Sequence, residues 1–247
     1  MSGGVGIYAG IFWNIAVCFG LPAAGVVLLH RKKKRCIRPF FLGAATFLVS
    51  QVLIRIPLIN MVLPKTAWYQ NLRINHPFGY WIFLGMTAGI AEETARTAAM
   101  YFFMKKNRRW PDAAAFGLGH GGLEAALLTG LSSLNLLAAC VMFSSQTVSG
   151  MYGGLSFGVV FMGGLERFLA ILMHMEWSMM TMEAVRRGGA GGWLLWAAAV
   201  LLHGICDASI GFWQSAGVTG YALEGIFALY AACMGIAILV CKMRKRK

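Results

Sequence analysis

Residues 80–104 read Tyr80-Trp-Ile-Phe-Leu-Gly-Met-Thr-Ala-Gly-Ile-Ala-Glu-Glu-Thr-Ala-Arg-Thr-Ala-Ala-Met-Tyr-Phe-Phe-Met104. A helix needs about 20 such residues, each rising 1.5 Å, to cross a bilayer, and this run is long enough. Its ends are apolar, yet Glu92, Glu93 and Arg96 sit in the middle, where hydrocarbon would surround them. Runs of the same length and apolarity lie at about 5–30, 39–63, 113–142, 152–184, 191–212 and 222–241. About seven spans are therefore expected. In hydrocarbon each backbone must satisfy its own hydrogen bonds, so every run should be a helix. Short alternating segments of a transmembrane barrel are absent from the sequence. The expected fold class is all-α, a polytopic transmembrane helix bundle forming one integral membrane domain over residues 1–247.

Composition agrees, with 58% apolar and 13% charged residues, too few charges for the surface of a soluble domain. The net charge of +13 has a placement that points away from nucleic acid and toward lipid headgroups. Arg31, Lys32, Lys33, Lys34, Arg35 and Arg38 follow the first run. Lys105, Lys106, Arg108 and Arg109 follow the third, Arg186 and Arg187 the fifth, and Lys242, Arg244, Lys245, Arg246 and Lys247 the seventh. The alternate loops hold only Lys65 and Arg73. By the positive-inside rule the N-terminus is outside, the C-terminus is cytoplasmic and the protein is expected in the cell membrane. The first run has no basic residue before it and no small-residue cleavage site, so a retained helix is expected. Six cysteines stand singly, without a C-x-x-C pair, and read as packing residues.

Glu92, Glu93, Glu124, Glu166, Glu176 and Asp207 all fall within the apolar runs, with His120, His174, His203, Arg55, Arg96 and Arg167. Each mid-membrane charge costs about 2.5–3.5 kcal/mol on insertion scales, so such residues face the bundle interior and serve function. Counted from the cytoplasmic ends, Glu92, Glu93, His120, Glu124, His174, His203 and Asp207 lie about 10–24 Å deep, in a shared layer. Gly85 and Gly89 have the spacing of a close helix contact just before the carboxylates. Glu92 and Arg96 are one turn apart and can pair, whereas Glu93 points about 100° away. His120 and Glu124 share a helix face, suited to a mutual hydrogen bond or to two metal ligands, and the glycines around them leave room for a substrate backbone or a water. His203 and Asp207 repeat the one-turn spacing. Asp207 would orient the imidazole or join it on a metal. Glu166, Arg167 and His174 follow on the fifth run, Arg167 placed to neutralise Glu166 or a carboxylate of another helix. Glu176, Arg55, His30 and His76 read as partner, snorkelling or interfacial residues.

Glu92-Glu93-x-x-Arg96, Phe116-x-x-x-His120 and His203-x-x-x-Asp207, in that order on separate runs, resemble the CAAX-prenyl-protease and bacteriocin-processing intramembrane protease superfamily. Its first motif has one more residue before the arginine. The shorter form, with Gly119-His120-Gly-Gly-x-Glu124-Ala and the intervening Glu166-Arg167…His174, looks like the YhfC branch of intramembrane metalloproteases. The similarity spans about residues 80–210, expected to be the catalytic core. It implies peptide-bond hydrolysis by water activated on Glu92 or Glu93, with Arg96 completing the first motif. His120, His203 and Asp207 would assist and stabilise the oxyanion. An aspartate accepts hydrogen bonds and does not donate them, so Asp207 fits orienting His203 or binding a metal better.

Two versions of that chemistry follow. In one, a divalent ion, zinc by its affinity for histidine and carboxylate, is held by some of His120, Glu124, His174, His203 and Asp207. In the other no metal takes part and a glutamate is the base. Expected partners are membrane lipids and a peptide or membrane-protein substrate, with no nucleic acid. The rival readings are a proton- or cation-coupled transporter using the same buried carboxylates, and a non-catalytic membrane partner that keeps the protease fold.

Overall fold

The structure, a computed structural model, describes residues 2–33 and 35–244. Lys34, Lys245, Arg246 and Lys247 of the basic clusters lie outside the described residues. Seven long helices carry the fold. They are α1 (Gly6–Lys33), α2 (Ile37–Lys65), α4 (Pro77–Phe103), α5 (Trp110–Met142), α7 (Phe157–Arg187), α8 (Gly189–Ser215) and α9 (Tyr221–Arg244). Two short helices, α3 (Ala67–Asn75) and α6 (Ser145–Tyr152), lie between them, and the described residues contain no strand.

Among the described residues six helices are long and apolar enough to cross a membrane: α1, α2, α5, α7, α8 and α9. The exception is α4. It has 27 residues, about 40 Å of helix, but Glu92, Glu93 and Arg96 interrupt its apolar run. The protein is a multi-pass helical membrane bundle. Large side chains such as Leu53, Phe102, Val141, Leu194 and Leu229 are exposed on its outside, as lipid-facing surface requires.

Local sequence explains the breaks. The polar stretch between the second and third apolar runs carries α3, whose buried Tyr69 donates from its hydroxyl to the Ile59 carbonyl at 3.3 Å. Widened π-helical turns, Ala16–Gly20 in α1 and Leu48–Arg55 in α2, precede Pro22 and Pro57, which have no N–H for the helical ladder. Further π-helical turns are Leu58–Val62, just after Pro57, and Ala126–Gly130, which begins two residues past Glu124. The Ser156 side chain caps α7 by accepting from the Val159 N–H at 3.3 Å. Gly188 and Gly189, with φ of 62° and 51°, reverse the chain into α8.

Glycines set how closely the helices meet. α4 lies along α8, α2 along α5, and α5 along α7. A Cβ on Gly85 would be 2.3 Å from the Gly204 carbonyl oxygen, and one on Gly89 would be 2.5 Å from that of Val200. The glycines around His120, expected to leave room for substrate, are filled by protein instead. Gly117 meets the His174 carbonyl, Gly119 the Phe40 carbonyl, Gly121 the His174 ring and Gly122 Pro22. They bring α1, α2 and α7 against α5 and so position His120.

Gly119→Ala should therefore overpack the α2–α5 crossing, since its Cβ would sit 1.9 Å from the Phe40 oxygen. The expected cost is at least about 1–3 kcal/mol, read as a lowered thermal midpoint in detergent. Gly225→Ala on α9, with nothing within 4 Å, serves as the control. Equal midpoints for the two variants would contradict this account of the crossing.

Candidate metal centre

Four helices bring six ionisable side chains together: Glu92, Glu93 and Arg96 from α4, His120 from α5, His174 from α7 and His203 from α8. All are buried, and Glu93, Arg96 and His120 have no exposed surface. Charges so far from water persist only when they compensate one another.

Glu92 is the hub. Its Oε2 lies 2.8 Å from His120 Nε2, 3.7 Å from His203 Nε2 and 3.8 Å from His174 Nδ1. Phe47 stands edge-on to the His120 ring at 5.3 Å. Glu93, the next residue, turns to a different set of partners. Arg96 Nη1 donates to its Oε1 at 2.6 Å, Thr181 Oγ1 donates to its Oε2 at 2.7 Å, and His203 Nδ1 lies 2.8 Å from Oε1. The Glu92–Arg96 pair suggested by the sequence spacing is present at 3.6 Å, and a shorter one, at 2.6 Å, is made to Glu93. With Glu92 drawn toward three imidazoles, the guanidinium takes the carboxylate left over.

These contacts assign the imidazole protons. Glu93 accepts, so His203 carries its proton on Nδ1 and presents Nε2 to Glu92 and to Asp207 Oδ2, which is 3.8 Å away. Trp177 stacks on the same ring at 3.9 Å and 6°. Arg96 Nη2 donates to His174 Nδ1 at 3.1 Å, so His174 carries its proton on Nε2 and donates it to Glu124 Oε2 at 2.6 Å. Glu124 is also held by Arg167 Nη1 at 2.7 Å, and Arg167 Nη2 donates to Glu166. His120 and Glu124 thus face one way without meeting: His120 pairs with Glu92, and Glu124 with His174 and Arg167. Asp207 is too far from His203 for a hydrogen bond, and the carboxylate that orients this ring is Glu93.

Glu92, His120 and His174 each offer a ligand atom, and the three atoms lie within 4.8 Å of one another. A tetrahedral ion with bonds of about 2.0–2.2 Å holds its ligands about 3.3–3.6 Å apart. The separations of 2.8 and 3.8 Å from Glu92 Oε2 bracket that spacing. Two histidines and one glutamate form a donor set that leaves a fourth position open. The set fits a divalent ion once Arg96 releases His174 Nδ1. Glu92, expected together with Glu93 as one of two candidate bases, is the carboxylate in this group. The other expected ligands, Glu124, His203 and Asp207, surround it.

Residues 17–230 match the family model described as YhfC intramembrane metalloprotease. The chain belongs to this family. It is 32% identical to the uncharacterized membrane protein YhfC of Bacillus subtilis (strain 168), over 88% of this chain and 89% of that protein. No solved structure matches. The YhfC match covers every residue of the cluster, including Thr181 and Trp177, which the sequence reading did not single out. Their signal was present: His174, Trp177, Ser178 and Thr181 fall at i, i+3, i+4 and i+7, one face of α7, and all four are buried. Arg55, read as a snorkelling or partner residue, clamps α2 to α4 through Thr87 and the Leu84 carbonyl and is braced by Gln51 of its own helix.

Proposed function

We propose that this YhfC-family protein is an intramembrane metalloprotease that cleaves a peptide bond of a membrane-embedded substrate. The observation that carries the reading is the buried Glu92–His120–His174 group, whose ligand atoms lie within 4.8 Å of one another. Zinc suits two imidazoles and a carboxylate. When bound there, such an ion polarises the scissile carbonyl and lowers the pKa of its water to about 7. Glu92, His120 and His174 would hold it. Glu93 accepts from His203 Nδ1 and fixes that ring, so that His203 Nε2 can take a proton from the attacking water and pass it to the departing amine, with Asp207 beside it. Thr181 and Arg96 keep Glu93 in that orientation.

A second reading draws on one contact. Arg96 fills the lone pair of His174 Nδ1, as suits a metal-free site in which Glu92 is the general base and His120 and His203 are the acid and the oxyanion donor. In either reading the basic loops are cytoplasmic, α4 is the seventh span, and the protein lies in the cell membrane. The order of the three motifs supports kinship with the CAAX-prenyl-protease superfamily.

Elemental mass spectrometry of protein purified without chelators separates the two. About one zinc per chain is expected, lost in His120→Ala and in His174→Ala while both variants keep their helical circular dichroism. Wild-type protein that is free of metal and still proteolytic would transfer the chemistry to Glu92 alone.

A further inference from the structure

A hydrolytic group in hydrocarbon needs a route for water, and two adjoining cavities between α7, α8 and α9 supply one. The small inner cavity is lined by Glu124, Glu166, Arg167, His174, Trp177 and Asp207. The outer is lined by Glu166, Gln214, Thr219, Gly220 and Glu224 and reaches the turn between α8 and α9. Glu166, Ile210 and Phe227 border both.

Glu224 is 7% exposed, and its Oε2 has no hydrogen-bond partner among the described residues. A carboxylate held in that state inside a membrane protein calls for a polar occupant of the space it faces. Arg167 stands at the junction, with one arm of its guanidinium on Glu124 of the inner cavity and the other on Glu166, which borders both. A groove on the opposite side of α8 is lined mainly by Phe78, Trp81, Ile82, Met86, Ile205 and Phe212. Those side chains suit acyl chains and offer water few partners.

We infer that water reaches the buried cluster from the 216–220 turn, through the two cavities between α7, α8 and α9, and that the Arg167 bridge is the barrier between them. The purpose of the path rests on the hydrolase reading, while its existence does not. By the positive-inside assignment this entrance is on the outer face. The carboxylates Glu124, Glu166, Asp207 and Glu224 outnumber the one arginine, Arg167, along the path, so it favours cations over anions. Substrate is left to enter elsewhere, from the lipid.

The test is thiol labelling in oriented proteoliposomes, with the native cysteines replaced and single cysteines introduced. Gln214→Cys reports on the outer cavity and Ile210→Cys on the junction. Leu201→Cys and Leu229→Cys, 51% and 66% exposed on the outside of α8 and α9, report on lipid. The probes are membrane-impermeant methanethiosulfonates, one cationic and one anionic. Gln214→Cys and Ile210→Cys should react at least about tenfold faster with the cationic reagent added to the outer face than with the anionic one. Both should also outpace the lipid-facing pair. Glu224→Gln should shrink the charge preference without stopping the reaction. Labelling of Gln214→Cys and Ile210→Cys no faster than the lipid-facing controls, or only from the cytoplasmic face, would overturn the proposal. Labelling as expected in a protein that cleaves nothing would keep the path and remove the hydrolase reading, so the two fail separately.

Discussion

Replacing Glu92 by glutamine should lower cleavage by about 10²–10⁴-fold and leave the bundle folded. Glutamine keeps the shape of the side chain and removes its charge, and Glu92 Oε2 is the atom on which His120, His174 and His203 converge within 3.8 Å. In the metal reading the substitution also removes a ligand, so zinc content should fall with activity. In the metal-free reading activity alone falls. Cleavage can be followed without a known substrate, by mass spectrometry of the peptides that membranes release when they carry the wild-type protein and not the empty vector. Glu176→Gln is the matched control, because Glu176 lies on α7 outside the cluster and packs toward Gly235 of α9. If Glu92→Gln kept wild-type cleavage, neither form of the proposed chemistry could stand.

The second large effect is on stability. Arg96 is a fully buried cation that compensates Glu93 at 2.6 Å and donates to His174 at 3.1 Å. Arg96→Met leaves Glu93 held by Thr181 and His203 but without its permanent counter-charge. Removing one partner of a buried pair costs about 3–5 kcal/mol, on the order of 10 °C in the thermal midpoint for a chain of this size. Lysine at 96 should recover only part of the loss, because an ammonium lacks the forked geometry that serves a carboxylate and an imidazole together. The double variant Glu93→Gln, Arg96→Met should be more stable than Arg96→Met alone, because the uncompensated charge is gone. A midpoint for Arg96→Met within about 2 °C of wild type would mean that the guanidinium is not what holds Glu93 in the bundle.

Both experiments rest on a division of labour between adjacent carboxylates that spacing alone could not assign. Glu92 and Glu93 differ by one residue, or about 100° of helix rotation, and either could have faced the histidines. The sequence reading accordingly left the base as one or the other. It also placed His120 with Glu124 and His203 with Asp207, because i and i+4 residues are neighbours on an isolated helix. In the bundle each histidine finds a closer carboxylate on another helix: Glu92 for His120, Glu93 for His203 and Glu124 for His174. The glycines beside His120 were open space on a lone helix and became helix crossings once α1, α2 and α7 were in place.

The sequence by itself determined that this chain is a helical membrane protein and which of its helices carry charge in the wrong solvent. Hydropathy is a property of consecutive residues, and the cost of an interior charge does not depend on which neighbour compensates it. Motif order added the YhfC family on the same local terms. The tertiary structure alone decided that Glu92 joins His120 and His174, that Glu93, Arg96 and Thr181 form the support for His203, and that Arg167 bridges Glu124 and Glu166. Those pairings depend on the rotation of each helix about its axis and on crossings set by Gly43, Gly85, Gly89 and Gly119. Both are relations between segments far apart in the chain, and no local pattern of residues encodes them.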